Sequence, residues 1–567
     1  MTEFLLVFTL AIALGWPLGR YLAAVMRGAP MRGDRLFGFI ERPLYRLLGV
    51  DPSQGMGWKA YAKAFLLSNL VLGVIVWVVL MTQAWLPLNP NGIPNMRWDL
   101  ALHTMVSFLT NTNQQHYSGQ AQLSYLAHAS AIVGLQVITP MMGLALVAAT
   151  LRGLFGGREK NTATTNANGD ADVGNYWADV VRPTVRFLLP LCLVWSLALT
   201  SQGVPATLDG GPVATPIDAS AGMAEQKIAL GPVAPMVAVK QLGTNGGGWY
   251  GPNSAVPLEN PTPFSNLLET LALILIPVSI AFMVSGFTGR RRFTALVFGT
   301  MLTMSLLSAG AAVWSESLSG TSSDIALMEG KEVRFGAAPS ALWGALTTQT
   351  SNGSVNAMHD SLAPLTGLVT ISNMLVNAIW GGIGCGLQQF LVYLLLSVFL
   401  AGLMTGRTPE LFGRKIEAHE VKLLAALVLL QPLALLAFTA ITLAVPAITG
   451  NSNPSFHGIS QVFYEYVSAF ANNGSGFEGL GDATYWWNLS ASLMLALGRY
   501  PALIIPLAIA GSLARKRATP EGPGTLKVET PTFALTLIAV VVILTLLQFM
   551  PVLVLGPVAD HLALSAL

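Results

Sequence analysis

Long apolar segments alternate with polar segments along the chain, and ten of the apolar segments are long enough to cross a lipid bilayer. A membrane-spanning helix needs about 20 consecutive, mostly apolar residues. The pattern predicts spans at residues 3–26, 60–86, 124–151, 183–201, 264–287, 294–315, 364–403, 421–448, 484–512 and 531–557. The seventh segment is about twice the usual length. It predicts either one broken span or a span with a re-entrant piece.

Four of the polar connections carry related inserts, of which FANNGSGFEG at 470–479 is one. The core of each insert is a small polar residue, then Asn, then in three of the four Gly. A short apolar stretch precedes each insert, too short to cross a bilayer but long enough for a half-membrane helix. The inserts lie at 108–119, 240–251, 346–360 and 470–479.

The repeating unit is therefore span, short helix, polar loop and span. We predict an all-α polytopic membrane protein with ten transmembrane helices, in which four such units surround a pseudo-fourfold axis. An extra span with its loop lies at each end of the chain. The predicted parts are 1–58, 59–157, 158–290, 291–410, 411–515 and 516–567.

Composition and charge support this class of protein and orient it. The chain is 53% apolar and only 10% charged, whereas soluble proteins carry about 25% charged residues. Of the 30 Lys and Arg, 22 lie in alternate connections, namely 27–59, 152–186, 290–292, 407–422 and 515–527. Because basic loops stay in the cytoplasm, we expect a multi-pass membrane protein with both termini outside.

The inserts have the composition of an ion-selectivity filter. Gly and Asn adopt left-handed backbone angles at low cost, so such loops can point carbonyl oxygens to one side. Four of them around an axis would replace the hydration shell of a bare K⁺. The simpler alternative is that Asn-Gly is a common turn dipeptide. The candidate filter residues from the repeat are Thr112, Asn113, Thr244, Asn245, Gly246, Ser351, Asn352, Gly353, Asn472, Asn473 and Gly474.

Polar residues beside the filter raise two further expectations. The first insert reads Asn113-Gln114-Gln115 where the others read Asn-Gly, so one glutamine amide is expected to face the pore. Just beyond their loops, the acidic residues Asp360, Glu478 and Asp482 either form a vestibule that concentrates cations or belong to an exposed loop surface.

Two features of the seventh and ninth spans are candidates for control of the ion path. Glycine is unfavourable in helices, so Gly381, Gly382, Gly384 and Gly386 predict a break that forms a gating loop below the filter; the alternative is close packing through small residues. Arg499 is the one charge well inside the ninth span. A buried cation faces the protein interior, where it would repel K⁺ from a straight exit, unless it reaches a lipid headgroup instead.

Longer strings resemble a known family. QLGTNGGGWYGPNSAVPLENPTP, AMHDSLAPL, FANNGSGF, MTGRTPELFGRKIE and LGRYPALIIPLAIAGSLA resemble the KdpA family, the potassium-binding subunits of Kdp-type ATPases within the superfamily of potassium transporters. The resemblance covers essentially the whole chain. The filter residues it implies match Thr112, Asn113, Gln115, Asn245, Gly246, Asn352, Gly353, Asn473 and Gly474.

The resemblance also implies a location in the bacterial inner membrane, with both termini periplasmic, and a set of partners. K⁺ would be bound from outside and passed to a P-type ATPase catalytic subunit, with a single-span accessory subunit and a small membrane peptide in the complex. The chain has no nucleotide-binding or phosphorylation motif, so we expect a non-hydrolytic subunit that contacts membrane lipid, binds no nucleotide and has no nucleic-acid partner. Segment 404–420 is either a docking surface for the ATPase or a solvated loop; its candidate docking residues are Arg407, Arg414 and Lys415.

Three other functions compete with this reading. An autonomous, channel-like potassium transporter of the same superfamily has the same architecture, and only the quoted strings and the two extra spans argue against it. A sodium-coupled secondary transporter also uses broken helices, but inverted repeats are expected there, whereas these four units share one orientation. A purely structural scaffold leaves four polar loops unexplained.

Overall fold

The protein is a bundle of apolar helices. Its computed structural model describes residues 2–565 apart from 32, 157–168, 170, 219, 221, 319–327, 329, 521, 523 and 524. Within the described residues, ten helices have the length and hydropathy of membrane spans, which confirms the predicted count. These spans, numbered 1 to 10 below, are Thr2–Met26, Trp58–Trp85, Ala127–Phe155, Tyr176–Ser201, Pro263–Thr288, Arg291–Leu318, Cys385–Met404, Ala418–Ala444, Tyr485–Ala514 and Pro531–Leu564.

The seventh predicted span is broken, as the glycines predict. It consists of a helix at Pro364–Val376 and a second helix at Cys385–Met404. Asn377 ends the first helix with a left-handed backbone (φ 46°). The intervening residues 378–384 form no regular helix and are almost entirely buried, which is tolerated at membrane depth only inside protein or beside a watery cavity.

A short helix precedes each polar insert, as expected. Short helices 1 to 4 are Trp98–Leu109, Val233–Leu242, Ala337–Gln349 and Ser455–Phe470. At about 1.5 Å per residue, none of them can cross a bilayer about 30 Å thick. Each therefore brings the chain part-way into the protein and leaves its C-terminal end there.

Burial separates the spans into an inner and an outer set. In the four spans that follow an insert, at Ala127–Phe155, Pro263–Thr288, Cys385–Met404 and Tyr485–Ala514, between 50% and 83% of the apolar window is buried. The range is 28–39% in the spans that precede an insert and 28% in the first and last spans. The four following spans thus form the inner wall around the loops, and the others present apolar side chains outwards, as lipid requires.

Several spans contain irregular turns, and those of spans 4 and 10 adjoin or include prolines. Span 3 begins with a π-helical segment at Ala127–Ile132 and continues as Val133–Phe155. Span 4 comprises Tyr176–Pro183, Thr184–Leu188 and Leu189–Ser201, and span 10 comprises Pro531–Leu553, Val554–Val558 and Ala559–Ser565. Proline removes a helical hydrogen bond and widens the local turn.

The connections hold the remaining short elements. These are helices at Asp34–Leu48, Gly119–Gln122 and Pro446–Thr449, 3₁₀ turns at Asn253–Ala255 and His359–Ser361, and antiparallel strand pairs Val213–Ala214 with Gln226–Lys227 and Glu410–Leu411 with Arg414–Lys415. A further 3₁₀ turn, Gln83–Trp85, ends span 2. The predicted division of the chain into six parts stays a prediction. Its boundary between residues 157 and 158 lies outside the described residues.

Candidate functional site

Each short helix ends in the same backbone turn. The second residue of each core donates its N–H to a carbonyl five residues earlier, and these bonds are Thr112 to Ser107 (3.0 Å), Asn245 to Lys240 (2.9 Å), Asn352 to Thr347 (3.0 Å) and Asn473 to Ser468 (2.9 Å). The residue before the donor is left-handed in all four loops, at Asn111 (φ 61°), Thr244 (49°), Ser351 (50°) and Asn472 (54°). The residue after it is left-handed too, at Asn113 (55°), Gly246 (68°), Gly353 (87°) and Gly474 (105°).

This geometry changes the register of the first insert. The predicted alignment paired Thr112-Asn113 with Thr244-Asn245, but the backbone pairs Asn111-Thr112-Asn113 with Thr244-Asn245-Gly246. That alignment was therefore wrong by one residue. The physical reason is that asparagine, after glycine, takes the left-handed conformation at the lowest cost, so Asn113 stands where the other loops have glycine.

The four loops contact one another in a closed ring. Asn113 Nδ2 donates to the Gly246 carbonyl oxygen (3.0 Å), which joins loops 1 and 2. A Cβ atom added to Gly246 would lie 2.0 Å from the Asn352 carbonyl oxygen, and one added to Gly353 would lie 2.0 Å from that of Asn473. The ring closes at Gly474, where an added Cβ would lie 2.2 Å from the Thr112 carbonyl oxygen.

All four loops line one cavity of about 120 Å³, through residues that include Asn113, Gly247, Gly353 and Gly474. Two asparagine side chains turn away from it. Asn352 Nδ2 donates to the Lys240 carbonyl (3.0 Å), and Asn473 Nδ2 donates to that of Thr347 (2.9 Å). These amides tie loop 3 to short helix 2 and loop 4 to short helix 3.

The two glutamines of the first insert do not replace a glycine of the ring. Gln115 Oε1 accepts from the Gly248 N–H (2.8 Å), and its Nε2 donates to the Gly248 carbonyl (3.2 Å), so it braces loop 2. The Gln114 amide bonds to the Glu465 carboxylate. Two buried side-chain oxygens of the first insert lack a hydrogen-bond partner among the described residues, Asn113 Oδ1 and Tyr117 Oη, and of these two residues Asn113 lines the cavity.

The break in the seventh span passes directly beneath loops 2 and 3. The N–H groups of Trp380 and Gly381 donate to the Gln349 carbonyl (3.2 and 2.7 Å). The Ile383 N–H donates to Thr244 Oγ1 (3.1 Å). A Cβ added to Gly382 would lie 3.5 Å from Ser351 Cβ. The segment therefore lies at the end of the ring opposite the cavity that the four loops line.

Glycine is required here by close backbone approach. A Cβ on Gly386 would lie 1.8 Å from the Trp380 carbonyl oxygen, and one on Gly384 would lie 2.1 Å from the Gly143 carbonyl oxygen. Gly381 has a φ of 60°, and a Cβ there would lie 2.1 Å from the Gly386 Cα. The segment is thus tightly packed, and its predicted role as a gate stays a prediction.

Arg499 is buried beside this break and faces the protein interior. Its guanidinium, about 2% exposed, donates to Cys385 Sγ and to the Thr139 carbonyl (3.4 Å). Within the described part of the chain, its Nε has no hydrogen-bond partner and no carboxylate lies within 4.0 Å of it. The lipid-headgroup alternative is wrong, because headgroup contact requires an exposed side chain.

The three acidic residues near the loops do not act alike. Glu478 and Asp482 line the cavity, together with Glu465 of short helix 4, which the sequence did not single out. Burial raises the pKa of Glu478 to about 8 and that of Asp482 to about 6, so Glu478 is mostly uncharged at neutral pH. Asp360 instead bonds to Asn453 (3.0 Å) and His457 (2.9 Å).

The three predicted docking residues differ in their exposure to solvent. Arg414 is buried, and its guanidinium donates to the carbonyls of Gly153 (2.7 Å), Leu154 (2.8 Å) and Gly156 (3.0 Å). It caps the C-terminal end of span 3, where cations are favoured, so its assignment to a docking surface is wrong. Arg407 and Lys415 are exposed.

Protonated His457 is expected to stabilise the fold in a pH-dependent way. Its Nδ1 lies 2.8 Å from Asp560 and its Nε2 lies 2.9 Å from Asp360, so both nitrogens donate. Burial lowers the pKa of His457, but the two carboxylates outweigh it and raise the pKa from 6.5 to about 8. The contribution is therefore complete below pH 6.5 and lost as the pH rises through about 8.

We expect about 1 kcal/mol for this contribution, because the ring is partly exposed. The thermal unfolding temperature should be measured at a series of pH values from about 6 to about 9, a range that includes the pKa of His457. The wild type should lose stability across this range, and His457→Gln should not. Equal pH profiles for the two proteins would contradict the assignment.

The model of the family described as KdpA, potassium-transporting ATPase A subunit, matches residues 5–562. The chain belongs to the KdpA family. The resemblance seen in the sequence is thereby confirmed.

Curated KdpA relatives match over almost their whole length. The relative from Gloeobacter violaceus is 47% identical over 559 residues, which cover 96% of this chain and 95% of the relative. That from Pseudomonas putida is 43% identical over 570 residues, covering 99% and 98%. Both are named potassium-transporting ATPase potassium-binding subunit.

The fold is shared with a solved membrane protein. The crystal structure of the potassium transporter TrkH from Vibrio parahaemolyticus matches with a TM-score of 0.50 at 14% identity, covering 87% of this chain and 97% of that one. At this identity the likeness concerns the fold alone.

Proposed function

We propose that this chain is the potassium-binding subunit of an ATP-driven uptake complex and selects K⁺ with a ring of backbone carbonyls. The observation that carries the proposal is the closed contact of the four loops around one cavity. Neutral carbonyl dipoles replace the water shell of a weakly hydrated monovalent ion. The C-terminal ends of the short helices add partial negative charge. The names of the relatives support potassium as the ion.

The filter we propose uses backbone groups from the three-residue cores defined by the left-handed turns. Asn111, Thr112 and Asn113 form the first core, and the others keep their predicted members. Loop 1 differs from the rest, because Asn113 carries a side-chain oxygen where the others have glycine. Gln115 supports the ring from outside through Gly248.

We further propose that the ion leaves the ring sideways. The segment that contains Gly381, Gly382, Gly384 and Gly386 lies across the straight exit, and Arg499 places a positive charge beside its C-terminal end. Two barriers of this kind suit a subunit that must not leak. The ion would pass to a P-type ATPase catalytic subunit, accompanied by a single-span subunit and a small peptide, in the bacterial inner membrane with both termini periplasmic.

The autonomous transporter remains the second candidate, because the fold resembles that of a protein named as a potassium transporter. Mild-detergent purification of the tagged chain distinguishes the two. An uptake subunit should bring an ATPase polypeptide with it, and the ATP turnover of that complex should depend on K⁺. Recovery of the chain alone, with K⁺ uptake into vesicles that needs no ATP, would establish the second candidate instead.

The same purification tests the remaining docking residues. Arg407→Glu and Lys415→Glu should reduce recovery of the ATPase polypeptide, because both side chains are exposed near the strand pair at 410–415. Arg35→Glu is the matched control, since Arg35 is exposed on a different helix at Asp34–Leu48. Equal recovery from all three variants would remove segment 404–420 from the proposal.

A further inference from the structure

Three side chains with metal-ligating atoms converge beside the cavity that the four loops line. They are His116 from the first insert, Glu465 from short helix 4 and Asp482 from the segment before span 9. One ligand atom from each lies within 4.8 Å of the other two. Glu465 and Asp482 also line the cavity, so an ion has a path to them.

A chain of polar contacts determines which nitrogen of His116 carries the proton. Arg97 pairs with the Asp99 carboxylate (2.9 Å between Nη2 and Oδ2), and Asp99 Oδ2 accepts from Asn488 Nδ2 (2.8 Å). Asn488 therefore turns its Oδ1 towards His116 Nδ1 (2.7 Å). An amide oxygen only accepts, so Nδ1 carries a hydrogen.

In the neutral form of the His116 ring, the remaining nitrogen, Nε2, therefore has a free lone pair. Nε2 is buried and has no hydrogen-bond partner among the described residues, and Glu465 Oε1 lies 3.5 Å from it. The His103 ring stacks on the His116 ring, with 3.7 Å between the ring centroids. A lone pair that faces two carboxylates is unfavourable until a proton or a metal ion lies between them, and a metal ion that binds there displaces the proton.

We propose that His116 Nε2 and the carboxylates of Glu465 and Asp482 bind a divalent transition-metal ion of the Zn²⁺ class. An imidazole nitrogen favours zinc-like ions over K⁺, Mg²⁺ and Ca²⁺, which prefer oxygen. Three protein ligands leave a fourth, open position for water. Asn488 orients the ring through its other nitrogen, as partners of metal-bound histidines do.

A second histidine near two carboxylates provides the matched control. His457 also lies between two aspartates, but both of its nitrogens donate hydrogen bonds, at 2.8 and 2.9 Å. It therefore has no free lone pair with which to bind a metal. Each cluster sets one histidine beside two carboxylates, and the partner of Nδ1 differs: it is the Asn488 amide oxygen for His116 and the Asp560 carboxylate for His457. Of these two histidines, His116 is the one with a nitrogen that lacks a hydrogen-bond partner among the described residues.

Zinc binding to the purified full-length protein or complex tests this proposal. The sample is first stripped of metal with a chelator and is then titrated with zinc chloride in a calorimeter. We expect one site in the wild type and in His457→Gln. His116→Gln and Asp482→Asn should weaken binding by more than about tenfold, since loss of even an orienting partner costs 10–100-fold. Asp482 is partly exposed, so its variant keeps the test valid should His116→Gln fail to fold. No binding by the wild type, or equal binding by all four proteins, would overturn the proposal.

A bound divalent ion would also reduce K⁺ entry, and this consequence rests on the proposed filter. Zinc should inhibit K⁺-dependent ATP turnover of the wild-type complex and not that of Asp482→Asn. Zinc binding without inhibition would leave the metal site in place and count against the filter as the route. Inhibition of both complexes alike would assign the effect to another site.

Discussion

Gly474→Ala is expected to lower K⁺ uptake at limiting K⁺ by at least about tenfold. Gly474 has a φ of 105°, and a Cβ there would lie 2.2 Å from the carbonyl oxygen of Thr112 in the neighbouring loop. Left-handed backbone costs about 1–2 kcal/mol for a residue with a Cβ, and about 1.4 kcal/mol corresponds to tenfold. The overlap comes in addition, so the ring must open between loops 4 and 1.

Growth at low K⁺ and K⁺-dependent ATP turnover of the purified complex measure this effect. Gly246→Asp should also lower K⁺ uptake, because its Cβ would lie 2.0 Å from the Asn352 carbonyl oxygen. Gly299→Ala is the control, since Gly299 lies within the helix Arg291–Leu318 and no atom lies within 4 Å of its added Cβ. The filter assignment would be contradicted if Gly474→Ala had the same unfolding temperature as the wild type and still took up K⁺ normally.

Arg499→Gln is expected to uncouple K⁺ movement from ATP turnover and to permit ion leak. The substitution removes a buried positive charge beside the broken span while keeping hydrogen-bond donors near Cys385 and Thr139. Two unit charges about 10 Å apart repel by about 1.7 kcal/mol at an effective dielectric constant of about 20. Removal of such a barrier should raise passive K⁺ flux more than tenfold.

Passive ⁸⁶Rb⁺ or K⁺ flux into vesicles without ATP measures the leak, and the ratio of uptake to ATP turnover measures coupling. Arg499→Lys should retain part of the barrier, because it keeps the charge. Arg20→Gln is the matched control, since Arg20 also lies within a span but is exposed and stacks on Trp16. Wild-type flux and coupling in Arg499→Gln would exclude the barrier role.

Much of the architecture follows from local sequence. Spans, short helices and the break at 377–384 were predictable, because hydrophobic length and glycine content act on the segment that contains them. The position of Arg499 in the interior followed from the cost of a charge in lipid. Each of these rules needs no knowledge of neighbours in space.

The details of the site depended on contacts between distant segments. The register of the first loop was misread because the pattern matched residue types, Thr112-Asn113 with Thr244-Asn245, whereas the fold repeats backbone angles. Arg414 looked like a surface cation, yet it caps a helix more than 250 residues earlier in the chain. His116 and Glu465 carried no local signal, since neither lies in a recognisable metal motif.

By itself, the sequence determined the number of spans, the four repeated units, the charge asymmetry and the family, because these depend on residue type and order along the chain. Tertiary structure alone decided which oxygens face the cavity, which amides tie loop to helix, and which histidine keeps a free lone pair. Those properties arise where four loops meet. The hydrogen bond that orients each group is contributed by a different part of the chain.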